Sequence, residues 1–298
     1  MIRNKSIKET AKTARDLNPV IITVILSLLV IIPQYCLGQV MGLGRKVEAL
    51  DDFFTLLYQK DLFFLLIIYS TAFTLILAYV FARKILKRTN LSLGLVDDNK
   101  IKSYGKGILL GFGLLTLIVL ILKLIGLAEI SKNPAGFDTK LFLLFIPAWL
   151  IQGFEEEFLL RAILMNQMAT RGKISLAMIA NSLIFSIFHL GNAGFSLMAF
   201  INIFLMGLVF SLIFYISDSL YVVGAAHSFW NMTMANIYGI TVSGNKSVGV
   251  TYFTTSLKGP DLISGGGFGV EGSIVTTIVL AILIVILIKK IKQRDLAN

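Results

Sequence analysis

Residues 17–44 read LNPVIITVILSLLVIIPQYCLGQVMGLG, a run of 28 residues with no formally charged side chain. A helix needs about 20 apolar residues to cross the hydrocarbon core of a bilayer. A second uncharged run of 21 residues covers residues 62–82. Over all 298 residues, 56% are hydrophobic and 15% are charged, and the mean hydropathy is +0.82. This balance is not that of a soluble domain, so the sequence predicts a polytopic membrane protein.

Six further apolar segments bring the number of candidate spans to eight. They cover residues 105–127, 141–165, 174–190, 195–216, 220–238 and 272–288, of which the last is short and the segment 174–190 is marginal. Backbone groups must be paired inside lipid, and the alternation of a β-barrel is missing. We therefore expect an all-α bundle of about eight transmembrane helices. We divide it into amino-terminal helices (1–140), a central core (141–238) and a carboxyl-terminal part (239–298).

Two glycine-containing segments carry expectations about packing. The motif GILLG at residues 107–111 has the GxxxG spacing that allows a neighbouring helix to approach closely. The long connection before the last span contains GPDLISGGGFGVEG, residues 259–272. A glycine-rich loop of this length either moves freely or packs back over the mouth of the bundle.

Lysine and arginine in the flanks indicate the orientation, because cytoplasmic flanks are richer in them. Eighteen lie in the flanks 1–15, 83–106, 171–173 and 289–294, which share one side if the spans alternate. Eight lie on the other side: Arg45, Lys46, Lys60, Lys123, Lys132, Lys140, Lys246 and Lys258. We expect both ends of the chain in the cytoplasm and the 239–271 loop outside. The net charge of +10 then faces anionic membrane lipid, not nucleic acid.

Ionisable side chains are scarce within the predicted spans. The only acids well inside one are Glu155, Glu156 and Glu157, and the only arginine so placed is Arg161. The two histidines of the chain and Asn231 also fall in or at the edge of predicted spans. A charge at bilayer depth costs about 2.5 kcal/mol or more, so such groups face a bundle interior and usually have a function there.

Helical spacing makes the three glutamates unequal. Residues four apart lie on one face of a helix, so Glu157 and Arg161 are expected to form an ion pair. Glu156 points about 100° away and is left to act on a neighbouring helix or on water. Glu155 is rotated further and receives no partner.

The two histidines stand in similar short motifs. In HSFWN, residues 227–231, His227 and Asn231 lie one turn apart and could both donate hydrogen bonds to a developing oxyanion. In FSIFH, residues 185–189, Phe185 precedes His189 by one turn and could restrict its ring. For these groups to meet Glu156, the fifth span must be shifted, tilted or broken near HLGNAG, residues 189–194.

These residues support three kinds of activity. In a hydrolase, Glu156 and His189 activate a water, and His227 and Asn231 stabilise the oxyanion. In a metal site, His189, His227 and a carboxylate such as Glu156 bind zinc. In a proton-coupled transporter, the same groups relay protons. A polar network that only holds the helices together is the fourth alternative.

The three motifs together resemble the CPBP family of intramembrane proteases, also called Abi or type II CAAX prenyl endopeptidase-like. EEFLLR (156–161), FSIFH and HSFWN match the family's EExxxR, FxxxH and HxxxN series in order, and the resemblance covers about residues 141–238. The resemblance implies a multi-pass protein of the cell membrane that cleaves a membrane-associated or lipid-modified protein or peptide. It implies Glu156 as the base assisted by His189, and His227 with Asn231 as the oxyanion site. Glu157, Arg161 and Phe185 would support that site.

The same resemblance leaves the cofactor and two other functions open. Some of the family is labelled metalloprotease and a metal-free glutamate mechanism is also argued for it. The zinc-binding HExxH motif is absent from this sequence. A non-catalytic bacteriocin self-immunity or scaffold protein of the same fold is one alternative function, and a proton-coupled transporter is the other.

Overall fold

The computed structural model describes residues 4–44, 46–59, 62–245 and 249–296. Within them the chain is mostly helical. The helices are α1 (Lys5–Thr13), α2 (Pro19–Gly44), α3 (Glu48–Gln59), α4 (Leu62–Val80), α5 (Lys100–Leu124), α6 (Thr139–Glu157), α7 (Asn166–Ala169), α8 (Ile174–Ile187), α9 (Leu197–Ser217), α10 (Leu220–Met232), α11 (Asp261–Ser264) and α12 (Ile274–Leu296). Three π-helical segments continue α4, α6 and α10: Phe81–Ile85, Phe158–Met165 and Thr233–Ile237.

Each of the eight predicted spans falls on a helix, but not every helix is a convincing span by itself. Among the described residues, five helical stretches are long and apolar enough to cross a membrane: Pro19–Gly44, Leu62–Ile85, Lys100–Leu124, Leu197–Ser217 and Ile274–Arg294. Helices α6 and α10 carry the polar site residues, and α8 has only 14 residues. The count of eight spans therefore stays a prediction.

One short pair of strands lies outside the helices of the predicted all-α bundle. Strand β1 (Ala128–Lys132) pairs antiparallel with strand β2 (Phe253–Leu257), with Ile130 opposite Thr255. The two strands belong to different interhelical connections, 125 residues apart at this pair. Such a pairing leaves no local signal, because each strand is short and half exposed.

Helix α10 lies at the centre of the bundle, and glycines let its neighbours approach its backbone. A Cβ atom on Gly107 would lie 2.3 Å from the Val222 carbonyl oxygen, and one on Gly111 would lie 2.1 Å from that of Ala226. The close approach expected of the GILLG motif is thus present, between α5 and α10. From the other side, a Cβ on Gly153 of α6 would meet the backbone nitrogen of Ser228 at 2.5 Å.

Hydrogen bonds between the connections define two opposite faces of the bundle. On the first, here the α1 face (residues 4–16, 86–99, 166–173 and 215–219), the Lys5 amide donates to Asp218 at 2.6 Å and Arg171 donates to Asp16 at 2.9 Å. The guanidinium of Arg294, near the end of α12, donates to the carbonyl oxygen of Ile216 at 3.4 Å. The flanks that lie on one side of the membrane if the spans alternate are therefore close together in the structure.

The second face, here the sheet face, contains residues 126–138, 189–196, 239–245 and 249–272. The glycine-rich connection packs over the bundle mouth here instead of extending into solvent. The Asn192 side-chain amide donates to the Ser243 carbonyl oxygen at 2.8 Å, and the Gly244 amide donates to that of Phe268 at 3.2 Å. Four of the flank residues used for orientation lie outside the described residues: Arg3, Arg45, Lys60 and Lys246.

One arginine of the α1 face is not on the rim, where the charge count placed it. Arg88 is 1% exposed, and its guanidinium donates to the carbonyl oxygens of Ser92 at 2.6 Å and Ala162 at 2.7 Å. Ala162 lies in the π-helical segment that follows α6, where the wider turn leaves carbonyl oxygens available. Burial lowers the pKa of the Arg88 guanidinium to about 9.

Candidate active site

The polar residues singled out in the sequence surround one cavity of about 280 Å³. It is enclosed by α2, α4, α6, α8, α9 and α10 and by connections of the sheet face. Glu156, His189, His227 and Asn231 all line it, although they come from three separate stretches of the chain. Apolar and aromatic side chains form most of the remaining wall, which is the usual composition of a small-molecule or peptide site.

The three glutamates at the end of α6 occupy different environments. The Glu157 side chain is fully buried, whereas that of Glu156 is 25% exposed and faces the cavity. Glu155, for which helical spacing predicted no partner, is buried and also lines the cavity. The helical rotation predicted for these three residues is therefore reflected in their burial.

The ion pair expected between Glu157 and Arg161 is present. Arg161 Nη1 donates to Glu157 Oε1 at 3.0 Å, and both side chains are fully buried. Arg161 Nη2 donates to the carbonyl oxygen of Gly207 on α9 at 3.1 Å, so the pair also ties α6 to α9. The guanidinium lies over the ring of Phe185, 4.8 Å from its centroid. One carboxylate oxygen makes the contact, so the pair is not bidentate.

Glu157 has a second partner that the spacing along α6 does not indicate. His227 Nδ1 lies 2.8 Å from Glu157 Oε1, and since a carboxylate accepts, the imidazole N–H donates. Phe210 stacks on the imidazole at 4.9 Å between ring centroids. These contacts orient the ring so that Nε2 faces Glu156, with Glu156 Oε2 at 3.9 Å.

Gln152 is a site residue that the sequence analysis missed. Its side-chain nitrogen donates a short hydrogen bond to Glu156 Oε1, and its oxygen accepts from Asn231 Nδ2 at 2.9 Å. The side-chain nitrogen of Asn231 therefore donates to Gln152. It does not point with His227 towards one shared oxyanion position, as the sequence analysis expected. The signal was available, because Gln152 precedes Glu156 by four residues and shares its helical face.

His189 lies beyond the end of α8, in a turn. Helix α8, the fifth predicted span, ends at Ile187, so the predicted end at residue 190 was wrong. The chain turns at HLGNAG, and a break there is one of the changes that the grouping of the site residues required. His189 Nδ1 donates to the Phe185 carbonyl oxygen at 2.8 Å, and the two rings meet edge to face at 4.9 Å. Phe185 therefore holds this ring, and Nε2 is left for the cavity.

Neither the expected pair of Glu156 and His189 nor the expected set of zinc ligands is formed by direct contact. Glu156 and His189 share the cavity, but Glu156 bonds to Gln152 and approaches His227 instead. Within the described part of the chain, no three histidine, cysteine, aspartate or glutamate side chains gather closely enough to hold a metal ion. Glu156, His189 and His227, the set considered for zinc, therefore do not form such a group, although both histidines bond through Nδ1 and keep Nε2 for the cavity.

Glu271 is a second residue that the sequence analysis missed. It belongs to the glycine-rich connection, is 5% exposed and lines the cavity. Trp230 Nε1 donates to its Oε1 at 2.9 Å, and the amide and hydroxyl of Ser243 both donate to its Oε2 at 2.7 Å. Its signal was that it is one of only two acids, with Asp261, in this glycine-rich connection. Glu271 therefore joins this loop to Trp230, the residue that precedes Asn231.

The architecture and the cavity together define a polytopic helical membrane protein with a buried polar site. Residues 138–233 match the profile of a family described as type II CAAX prenyl endopeptidase Rce1-like. This match confirms the resemblance inferred from the three motifs: the segment that contains them is similar to the CPBP/CAAX protease family. It supports an intramembrane protease of the CAAX type in general. The curated proteins contain no match to this chain.

Proposed function

We propose that this protein is an intramembrane endopeptidase of the cell membrane that cleaves a membrane-associated or lipid-modified protein or peptide. The observation that carries the proposal is the convergence of Glu156, His189, His227 and Asn231 on one cavity. The match over residues 138–233 supports the class of reaction. The substrate and the role of each residue are part of the proposal.

In this mechanism Glu156 is the general base. It is the partly exposed carboxylate of the three, so a water in the cavity can reach it. The water oxygen attacks the peptide carbonyl carbon while its proton moves to Glu156. His189 faces the same cavity through Nε2 and assists by holding this water. When the carbon–nitrogen bond breaks, the proton passes from Glu156 to the leaving amine.

His227 and Asn231 stabilise the oxygen that becomes negative in the tetrahedral intermediate. Because Glu157 accepts the Nδ1 proton of His227, only Nε2 can face the reacting atoms. It donates there when the ring is doubly protonated, and the neighbouring carboxylates balance that charge. Asn231 must exchange its bond to Gln152 for one to the oxyanion, which frees Gln152 to hold Glu156 alone.

The test is cleavage of a membrane-peptide library by purified protein in detergent. We expect Glu156→Gln and His189→Ala to lower the rate by about 10²-fold or more, since each removes a group that handles the proton. Glu129→Gln is the matched control, because this carboxylate is exposed on β1, pairs with Lys258 and does not line the cavity. Equal measurable rates for the wild type, Glu156→Gln and His189→Ala would overturn the catalytic roles of these residues, and no cleavage by any of the three would favour the non-catalytic alternative.

A further inference from the structure

In four of the six helices that line the cavity, α4, α8, α9 and α10, the lining residues lie towards the sheet-face end, whereas α2 contributes from its middle and α6 from its second half. Helix α9 ends at the α1 face but contributes Ile203, Met206 and Phe210, from its first two-thirds. Helix α10 begins at the α1 face and contributes residues 227–231, near its other end. Helix α4 leads into the α1 face and contributes residues 64–71, from its first half.

The connections show the same asymmetry. The lining includes His189, Asn192, residues 242–245 and Glu271, all from the sheet face. It includes none of residues 4–16, 86–99, 166–173 or 215–219, which form the α1 face. Asn245 is exposed and His189 and Asn192 are half-buried, so this end of the cavity borders solvent. Within the described residues, the site is therefore built at the sheet-face end of the bundle.

The charge of the lining is one-sided as well. Glu155, Glu156 and Glu271 line the cavity, and no lysine or arginine among the described residues does. Opposite charges attract strongly where water is scarce, and like charges repel. An acidic segment would meet acidic side chains, with no lysine or arginine in the described part of the wall to offset them.

We infer that the substrate is an uncharged or basic stretch of polypeptide that reaches the site from the sheet face. The sequence flanks on the side of the α1 face hold eighteen lysines and arginines against eight in the flanks of the other side, so the α1 face is the predicted cytoplasmic side. The cleaved segment is then on the extracytoplasmic side, as in an exported or membrane-anchored peptide, and not in a cytoplasmic lipid-modified protein. This inference rests on the proposed protease function for its substrate, and on the geometry together with the charges of the flanks for its side.

Cysteine labelling tests the side without any need for cleavage. Cys36 is the only cysteine of the chain, so a Cys36→Ser background is free of thiols. In intact bacterial cells, a membrane-impermeant maleimide is expected to label Asn245→Cys at the cavity rim. The matched variant Lys173→Cys, exposed on the α1 face, should react only after permeabilisation. The reverse pattern would overturn the inference. If Asn245→Cys does not accumulate, Lys258→Cys reports the same face.

The charge preference is tested with the library peptide that the purified protein cleaves fastest. Two versions carry either two lysines or two glutamates beside the cleaved bond. We expect the glutamate version to be cleaved at least about tenfold more slowly at low salt, with a smaller difference at high salt. Equal rates for the two versions would overturn this part of the inference. If no library peptide is cleaved at all, the protease function fails, while the labelling result still decides which side the cavity faces.

Discussion

At the residue scale, three identical neighbours have three different surroundings. Glu157 is fully buried between Arg161 and His227, Glu156 faces the cavity, and Glu155 is buried at its wall. The helical turn alone separates their directions by about 100° each. The function proposed for Glu156 depends on this separation, because a carboxylate neutralised by a guanidinium would be a poor base.

Glu157→Gln tests whether the second carboxylate positions His227. The amide cannot accept the His227 N–H as strongly as the carboxylate does, so the ring should turn away from the reacting atoms. We expect kcat/KM to fall by about 10²-fold, as misplaced catalytic groups commonly cost. The pH–rate profile should change as well, since a charge next to the imidazole is lost. A variant with wild-type kcat/KM and an unchanged profile would remove Glu157 from the mechanism, and Glu129→Gln serves as the control.

Arg161→Met tests the buried ion pair. Removing one partner leaves Glu157 charged and without its cation in the bundle interior, which costs about 3–5 kcal/mol. The melting temperature in detergent should therefore drop strongly, and adding Glu157→Gln should restore part of it without restoring cleavage. Arg171→Met is the matched control, because its pair with Asp16 is exposed and should contribute at most about 1 kcal/mol. A stable Arg161→Met protein would contradict the proposed role of the pair.

At the scale of elements, α10 is the helix on which the site is assembled. It contacts α5 through Gly107 and Gly111 and contacts α6 at Gly153. These close approaches bring the His227 imidazole within hydrogen-bonding distance of Glu157 on α6. Small residues at helix interfaces are the usual means of close packing in a membrane, where burial from water provides no driving force.

Gly111→Ala tests this packing. The added methyl group would lie 2.1 Å from the Ala226 carbonyl oxygen, so the helices must separate. Such overpacking typically costs about 1–3 kcal/mol, and we expect a lower melting temperature together with reduced cleavage. Gly113→Ala is the matched control on the same helix, since nothing lies within 4 Å of a Cβ there. Equal stability of the two variants would show that α5 and α10 do not need this contact.

At the scale of the whole molecule, the two faces of the bundle differ in construction. The α1 face is closed by hydrogen bonds that α1, Arg88 and Arg171 make with neighbouring connections. The sheet face is formed by the β1–β2 pair and by a glycine-rich loop that borders the cavity. The loop is fixed there by Glu271, whose carboxylate accepts bonds from Trp230 and Ser243.

Glu271→Ala is expected to release this loop. Loss of the carboxylate leaves the Trp230 indole N–H and two donors of Ser243 without an acceptor. Hydrogen exchange of residues 240–272 in detergent should become faster, while exchange in α5 stays unchanged. Asp261→Ala changes an exposed acid of the same loop and is the control. Unchanged exchange in Glu271→Ala would mean that other contacts hold the loop.

Features confined to one helix were predictable from the sequence. The uncharged runs, the Glu157–Arg161 pair, the turn from Phe185 to His189 and the GILLG spacing depend only on residues a few positions apart. The family motifs added the grouping of Glu156, His189, His227 and Asn231 in the same way, as short patterns. The predicted number of spans was less secure, because α6, α8 and α10 are polar or short where they carry the site.

Contacts between distant segments were not predictable. Glu157 with His227, Gln152 with Asn231, and Glu271 with Trp230 each join residues 41 to 79 positions apart. The same is true of the β1–β2 pair and of the burial of Arg88 against the π-helical turn. By itself the sequence determined a helical membrane protein and the face of each helix that carries charge, because helical geometry fixes angles within a helix. Only the tertiary structure decided which faces meet, because that depends on how closely the helices pack and on where each connection returns.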